Sequence, residues 1–223
     1  MLRRSAAHVF VDDVDSPFAG DDDARHLSRV LRLRDGEAVS VSDGRGSWRP
    51  CEWRGGSLVA AGDTVTENHV GPLLTVALAP VKGDRTEDAV EKLVEIGIDR
   101  IVLLAPVEHS VVRWDAARAG AALDRIRRVA RSASAQSRRV FLPVIEGPVA
   151  LADVLSVAGV AMAEPDGPAD LGGVTTVVVG PEGGFSAVEV AMAQRTVGLG
   201  RGILRAGTAA VVAGALMVAH SRR

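Results

Sequence analysis

From residue 73 onward the chain alternates between short β-branched apolar runs and helical segments, and few folds accept that alternation. Leu73–Ala79 reads as a buried strand. A helix over Arg85–Ile96 follows, with Asp84 as its N-cap, Glu87 completing a capping-box-like pair and Gly97 as its stop. Arg100–Ala105 is the next strand. A strand returned through a helix of this length lies parallel to its predecessor, so the order argues for a parallel α/β sheet. The alternation continues through a long helix around Asp115–Ser137 and strands at Phe141–Ile145, Val160–Ala163 and Val174–Val179. A last helix covers about Thr208–Ser221.

Gly71-Pro72 marks a boundary, and the chain before it is different. His8–Val11, Ala38–Ser42, Trp48–Arg54 and Ser57–Val65 read as strands, with Asp43-Gly44-Arg45-Gly46 as a turn. One short helix is predicted over Ala24–Leu33, where Leu27, Val30 and Leu31 recur at helical spacing behind the acidic Asp21-Asp22-Asp23. The expected organisation is a small β-barrel over 1–70 and an α/β domain over 73–223.

Composition removes several classes. At 223 residues, 47% apolar and 24% charged, the chain can bury a core without staples and is neither disordered nor fibrous. Its one cysteine, Cys51, cannot form an internal disulfide, and no Cys/His cluster has zinc spacing, so no metal and a reducing, cytoplasmic setting are expected. The longest apolar run, Ala206–Ala219, falls short of the roughly 20 residues of a membrane span, and no signal-peptide run follows Arg3 and Arg4. A net charge of −2 excludes a bulk polycation. Charge distribution says more: residues 1–70 carry −3 and residues 71–223 carry +1, and 24 of the 26 basic residues are Arg.

Three constellations could carry chemistry. In Val177-Val178-Val179-Gly180-Pro181-Glu182-Gly183-Gly184-Phe185 a β-branched strand feeds a three-glycine loop, and a helix begins near Ser186. Glycines at the carboxyl end of a parallel strand let backbone approach a small molecule closely. In Leu199–Ala210, apolar Leu199, Ile203 and Leu204 around flexible glycines could wall a flat ligand, with Arg205 and Thr208 as polar partners. Between Arg125 and Arg139 stand six arginines (125, 127, 128, 131, 138 and 139) and no acid, a pattern suited to phosphate. No Gly-Lys-Ser/Thr loop exists, and Gly198, Gly200 and Gly202 do not fit a dinucleotide fingerprint. With no Tyr, four Phe and three Trp there is no stacking platform, so RNA contact would read backbone and shape. None of His8, His26, His69, His109 and His220 pairs at metal spacing, and no Ser sits in a nucleophile elbow.

Together the motifs resemble those of the ribosomal RNA small-subunit methyltransferase E family, SPOUT-class enzymes acting on N3 of a uridine in 16S rRNA. The resemblance runs through His26-Leu27-Ser28-Arg29-Val30-Leu31-Arg32-Leu33, Lys82, Glu91–Ile98, Ser110-Val111-Val112 and Gln136-Ser137-Arg138. Its most specific parts are Gly180–Ser186 and Leu199-Gly200…Ile203-Leu204-Arg205. The sequence departs at Ala206-Gly207-Thr208-Ala209, where the family usually has Thr-Glu-Thr-Ala, at His8 before Phe10, where an Arg is common, and at Ala135, usually Glu.

The resemblance implies a PUA-like β-barrel followed by a SPOUT α/β domain with a C-terminal trefoil knot, one of the rare exceptions to unthreaded chains. It implies S-adenosyl-L-methionine as cofactor, held by Val179, Gly180, Pro181, Glu182, Gly183, Gly184, Leu199, Gly200, Ile203, Leu204, Arg205 and Thr208. It implies a homodimer working on 16S rRNA in the 30S subunit, away from membranes. Methyl transfer needs in-line positioning, and a guanidinium can stabilise the base as N3 loses its proton. Arg138 and Arg205 are the candidates for that role, and Glu182 completes the catalytic set by ordering the cofactor loop. Arg25, Arg29, Arg32, Lys82, Arg127, Arg128 and Arg131 are the candidate RNA contacts. The competing reading keeps the fold as a non-catalytic RNA-binding or ribosome-assembly factor. A generic nucleotide-binding protein is a third, opposed by the missing fingerprints.

Overall fold

The structure, a computed structural model, describes residues 2–83 and 85–221, so Asp84, the expected N-cap, lies outside the described residues. The chain divides into two compact units, one of Met1–Val70 with Arg131–Leu142 and one of Gly71–Ala130 with Pro143–Arg223.

In the first unit, β1 (Ala7–Phe10) pairs in parallel with β2 (Ala38–Ser42), and β2 pairs antiparallel with β3 (Ser47–Arg54). Strand β3 in turn carries β4 (Ser57–Ala60) and the short β5 (Val65–Thr66), both antiparallel. The strand expected over Ser57–Val65 is therefore two strands, and between them the bare Gly62 lies against the Pro50 ring, where a Cβ would come within 2.6 Å. The turn at Asp43 forms because its carboxylate accepts the N–H groups of Arg45 and Ser47 at 2.7 and 3.0 Å. The helix expected over Ala24–Leu33 is instead α1 (Asp21–Arg25) running into a π turn at His26–Val30. A π turn spends an extra residue per turn, which breaks the 3.6-residue face. Leu27 consequently enters the core, while Val30 is 66% and Leu31 43% exposed.

A clasp of long-range hydrogen bonds joins Arg131–Leu142 to this sheet. Arg138 has a left-handed backbone (φ 60°) and donates to the carbonyls of Ser5 and Ala6 at 3.0 and 3.2 Å and of Ala135 and Gln136 at 2.8 and 3.2 Å. His8 is buried beside it. Its Nε2–H donates to the Arg139 carbonyl at 3.1 Å, which leaves Nδ1 to accept from the Ser40 hydroxyl at 2.8 Å. Burial first, and the Arg138 charge second, lower the His8 pKa to about 4, against the opposing pull of the Arg139 carbonyl.

The second unit is built on a six-stranded, wholly parallel sheet. Its strands are β6 (Thr75–Leu78), β7 (Arg100–Leu104), β8 (Val144–Val149), β9 (Val160–Ala163), β10 (Thr176–Val179) and β11 (Thr196–Val197), in the spatial order β11-β9-β10-β6-β7-β8. Central strands β6 and β10 are buried along their whole length, as parallel strands covered on both faces should be. Strand β8 begins three residues later than expected, because Phe141 instead bridges Arg45 in the first unit. The helices are α2 (Arg85–Ile96), α3 (Ala116–Gln136, which runs into the first unit), α4 (Leu151–Leu155), α5 (Ala187–Met192) and α6 (Ala206–Ser221). Helix α6 packs on α2, where Gly214 is so close to Leu93 that a Cβ would come within 2.7 Å of its Cδ2.

The tightest approach in this unit is between two stretches of backbone. A Cβ on Gly198 would lie 2.3 Å from the Gly167 carbonyl oxygen, and one on Gly167 would lie 2.6 Å from the Val197 carbonyl carbon. Neither glycine has a positive φ, so the demand is steric alone.

Two predictions follow from these packing and charge relations. Gly198→Ala should lower unfolding free energy by about 3 kcal/mol, the upper end for overpacking. Gly120→Ala, in open space on α3, should raise it by about 0.5–1 kcal/mol. Urea denaturation separates the two. The unfolded chain holds the His8 proton more tightly than the native one, so its stabilising contribution is complete above about pH 6.5 and declines toward pH 4. The full decline is about 3 kcal/mol. His8→Gln should flatten stability against pH between 6.5 and 4.5, and an unchanged slope would contradict the assignment.

Candidate active site

Parallel sheets bind small molecules beyond the carboxyl ends of their strands, where neighbouring connections part. In the second unit β9, β10 and β11 end at such a place, giving out into Glu164-Pro165, Gly180–Phe185 and Gly198–Leu204. The three loops enclose a crevice of about 350 Å³.

The middle loop is held rigidly. Gly184 takes a left-handed conformation (φ 70°) and its N–H closes a turn on the Pro181 carbonyl at 2.9 Å. A Cβ on Gly183 would strike the His109 Cβ at 2.8 Å, and one on Gly180 would meet the Phe185 ring at 3.0 Å. Ser186 and Glu189 form a full capping box at the start of α5, and the same Glu189 carboxylate accepts the Glu108 N–H at 2.9 Å. Burial pushes the Glu189 carboxyl up. The N–H groups of Glu108 and Ser186, the Ser186 hydroxyl and His109 outweigh that, and it lies below the usual carboxylate range. The loop's shape is thus fixed before any ligand arrives.

Ten of the residues singled out from the sequence line this crevice: Val179, Gly180, Pro181, Glu182, Gly183, Gly184, Leu199, Gly200, Ile203 and Leu204. Arg205 and Thr208 do not. They line an adjoining recess of about 330 Å³ with Arg85, Lys92 and Asp88, and the two hollows share Glu182 and Ala206. Glu182 stands between them, 3.8 Å from the Arg85 guanidinium. Lining residues outside the expected cofactor set are Ala163, Glu164, Pro165, Phe185, Gly202, Ala206 and Ala209, of which Ala163, Glu164 and Pro165 fall in none of the three constellations. The legible signal for Glu164 is an acid directly after an apolar parallel strand. The support Glu189 is legible as the capping-box partner three residues after Ser186, whereas His109 carries no such signal.

Several arginines serve the fold. Arg138, expected at the catalytic centre, belongs to the first unit and is taken up by four carbonyls, and burial lowers its pKa. Arg131, expected on RNA, donates to the Phe10 carbonyl at 2.8 Å and covers the Phe10 ring at 5.2 Å. Arg125 pairs with Glu87, Arg127 with Asp124 at 3.0 Å, and Arg25 with Asp22 at 2.9 Å. Arg29, Arg32, Lys82 and Arg128 are exposed. Among the described residues no group of three or more His, Cys, Asp or Glu could hold a metal, and no helix is long and apolar enough to cross a membrane.

Known proteins share this fold. Residues 69–218 match the family of the RNA methyltransferase domain and residues 19–52 that of the RNA methyltransferase PUA domain. The ribosomal RNA small subunit methyltransferase E of Mycobacterium tuberculosis is 33% identical over 225 aligned positions, spanning 90% of this chain and 86% of that protein. The crystal structure of a probable rRNA-methyltransferase from Porphyromonas gingivalis superposes with a TM-score of 0.79 at 29% identity, covering 97% of this chain and 98% of that one. A ribosomal RNA small subunit methyltransferase E from Neisseria gonorrhoeae, crystallised bound to S-adenosyl methionine, has the same fold, with a TM-score of 0.80 at 24% identity over 96% of this chain and 97% of the other. With a family match over most of its length and a relative this similar, the chain belongs to the ribosomal RNA small subunit methyltransferase E family.

Proposed function

We propose that this chain uses S-adenosylmethionine to methylate N3 of a uridine in the 16S rRNA of the small ribosomal subunit. The observation that carries the reading is the preshaped, glycine-walled crevice beside a recess holding Arg205. The crevice fits the cofactor chemically. Side chains on Gly180 or Gly183 would collide with Phe185 or His109, so the loop keeps backbone rather than side chains toward the space. Leu199, Ile203 and Leu204 give apolar walls for an adenine, and backbone N–H groups of the loops can meet polar groups. The bound cofactor supplies an electrophilic methyl group.

The recess is the substrate side of the site. Arg205 would stabilise negative charge on the uracil as N3 loses its proton, and Thr208 offers a hydroxyl to the base. Glu182, shared by both hollows and tethered by Arg85, keeps the partition between donor and acceptor in place. We assign Arg138 to the clasp of the first unit, since both of its terminal nitrogens donate to carbonyls.

In this reading residues 1–70 are a PUA-like barrel that holds RNA, with Arg29 and Arg32 foremost and Arg25 weakened by its Asp22 partner, while residues 73–223 perform the chemistry. Lys82, Arg127 and Arg128 would meet phosphate from the second unit. The backbone crossing at Gly167 and Gly198 supports a trefoil knot in the SPOUT domain. Helix α6 supports a homodimer. It is apolar all round, burying Ala210, Ala213 and Met217 on one side and leaving Ala215, Leu216 and Ala219 exposed on the other.

The competing reading, an RNA-binding or assembly factor without turnover, rests on Ala206 and Gly207, which give the recess neither hydroxyl nor carboxylate. The test supplies labelled S-adenosylmethionine and 30S subunits from a strain lacking the modification, then maps the methylated base. One N3-methyluridine is expected, with transfer reduced about 100-fold or more by Arg205→Ala. Binding of cofactor and subunit without transfer would favour the factor, and methylation of another atom would overturn the N3 assignment.

A further inference from the structure

Resting on the cofactor assignment above, we infer that the crevice is a charge filter, in which Glu164 selects the cationic methyl donor over its neutral product. The argument begins with what lines the space. Two carboxylates, Glu164 and Glu182, face it, and no Lys, Arg or His does. That balance is unusual beside a chain rich in arginine, and the two acids are not equivalent.

Glu182 has a guanidinium 3.8 Å away. Among the described residues Glu164 makes no ion pair and no side-chain hydrogen bond, and its charged neighbour is Asp166, of the same sign. Its backbone is fixed: its N–H donates to the Val197 carbonyl at 3.0 Å, and its own carbonyl accepts from Gly167 at 3.1 Å. The carboxylate is therefore held at the end of β9, half withdrawn from water, without a cation of its own. Burial first, and Asp166 second, push its carboxyl above the usual range, which is the condition an arriving positive charge relieves.

The consequence is a ranking of adenosine ligands by charge. S-adenosylmethionine carries a sulfonium, an ammonium and a carboxylate, a net +1. Once the methyl group has left, the thioether product is neutral overall. An adenine nucleotide carries several negative charges. A site with uncompensated negative potential favours the first, is indifferent to the second and repels the third. The same lining therefore speeds release of spent cofactor and keeps abundant nucleotides out of a crevice whose apolar walls would otherwise accept an adenine.

The test is isothermal titration of the purified full-length chain, wild type and Glu164→Gln, with S-adenosylmethionine, S-adenosylhomocysteine and ATP. Gln keeps the shape and removes the charge. S-adenosylmethionine should bind Glu164→Gln about tenfold more weakly while S-adenosylhomocysteine changes less than twofold. In the wild type, added salt should weaken S-adenosylmethionine and leave S-adenosylhomocysteine unaffected, a comparison that needs no variant to fold. Equal weakening of both ligands would show that Glu164 contacts a group they share, and no change in either would show that it contacts neither. Both results overturn the filter while leaving the cofactor assignment standing. Failure of the wild type to bind either ligand would overturn the cofactor assignment itself.

Discussion

The second unit depends on two stretches of backbone passing closer than any side chain allows. A single carbon added to Gly198 would lie 2.3 Å from the Gly167 carbonyl oxygen, and one added to Gly167 would lie 2.6 Å from the Val197 carbonyl carbon. That contact lets β11 pair with β9 in parallel and lets Gly198 donate to the Pro168 carbonyl at 3.0 Å. The connection after β9 and the connection after β11 are thereby held together at one end of the sheet, where the glycine loop that follows β10 also lies. The crevice is the space those three connections enclose. The residues that give it chemical character are added to that frame.

In the first unit some basic residues are taken up by the fold while others stand exposed. Arg138 and Arg131 donate to backbone carbonyls in and beside β1, and His8 completes the same clasp as a neutral, buried imidazole. Exposed Arg29 and Arg32 lie around the π turn, where Arg32 adopts a left-handed conformation (φ 54°). The net −3 of residues 1–70 then matters less than where the uncompensated guanidinium groups stand.

The alternation after Gly71-Pro72 made the parallel sheet legible because buried parallel strands write themselves as β-branched runs such as Val177-Val178-Val179. The glycine loops were legible for a related reason, since close backbone approach leaves few residues but glycine. Other features depend on contacts between distant positions and leave no local trace. Arg139 meets His8 across 131 positions, so the membership of Arg131–Leu142 in the first unit could not be read from either segment alone. The six arginines have no intervening acid, yet Asp124 just outside the window, and Asp23 and Glu87 far from it in sequence, pair with three of them. The π turn defeated the helical wheel because it changes the period on which the wheel rests. Thr208 and Arg205 stand close in sequence to the crevice-lining Leu199–Leu204, and the start of α6 sets them along the neighbouring recess.

The most direct measurement of the central claim, that the three-loop crevice is the cofactor site, exploits Gly200. This residue lines the crevice, and a Cβ there would meet nothing within 4 Å. Gly200→Leu should therefore fold with an unchanged melting temperature while filling the space, and its affinity for S-adenosylmethionine by calorimetric titration should fall at least tenfold. Binding equal to that of the wild type, in a protein of equal stability, would contradict the account.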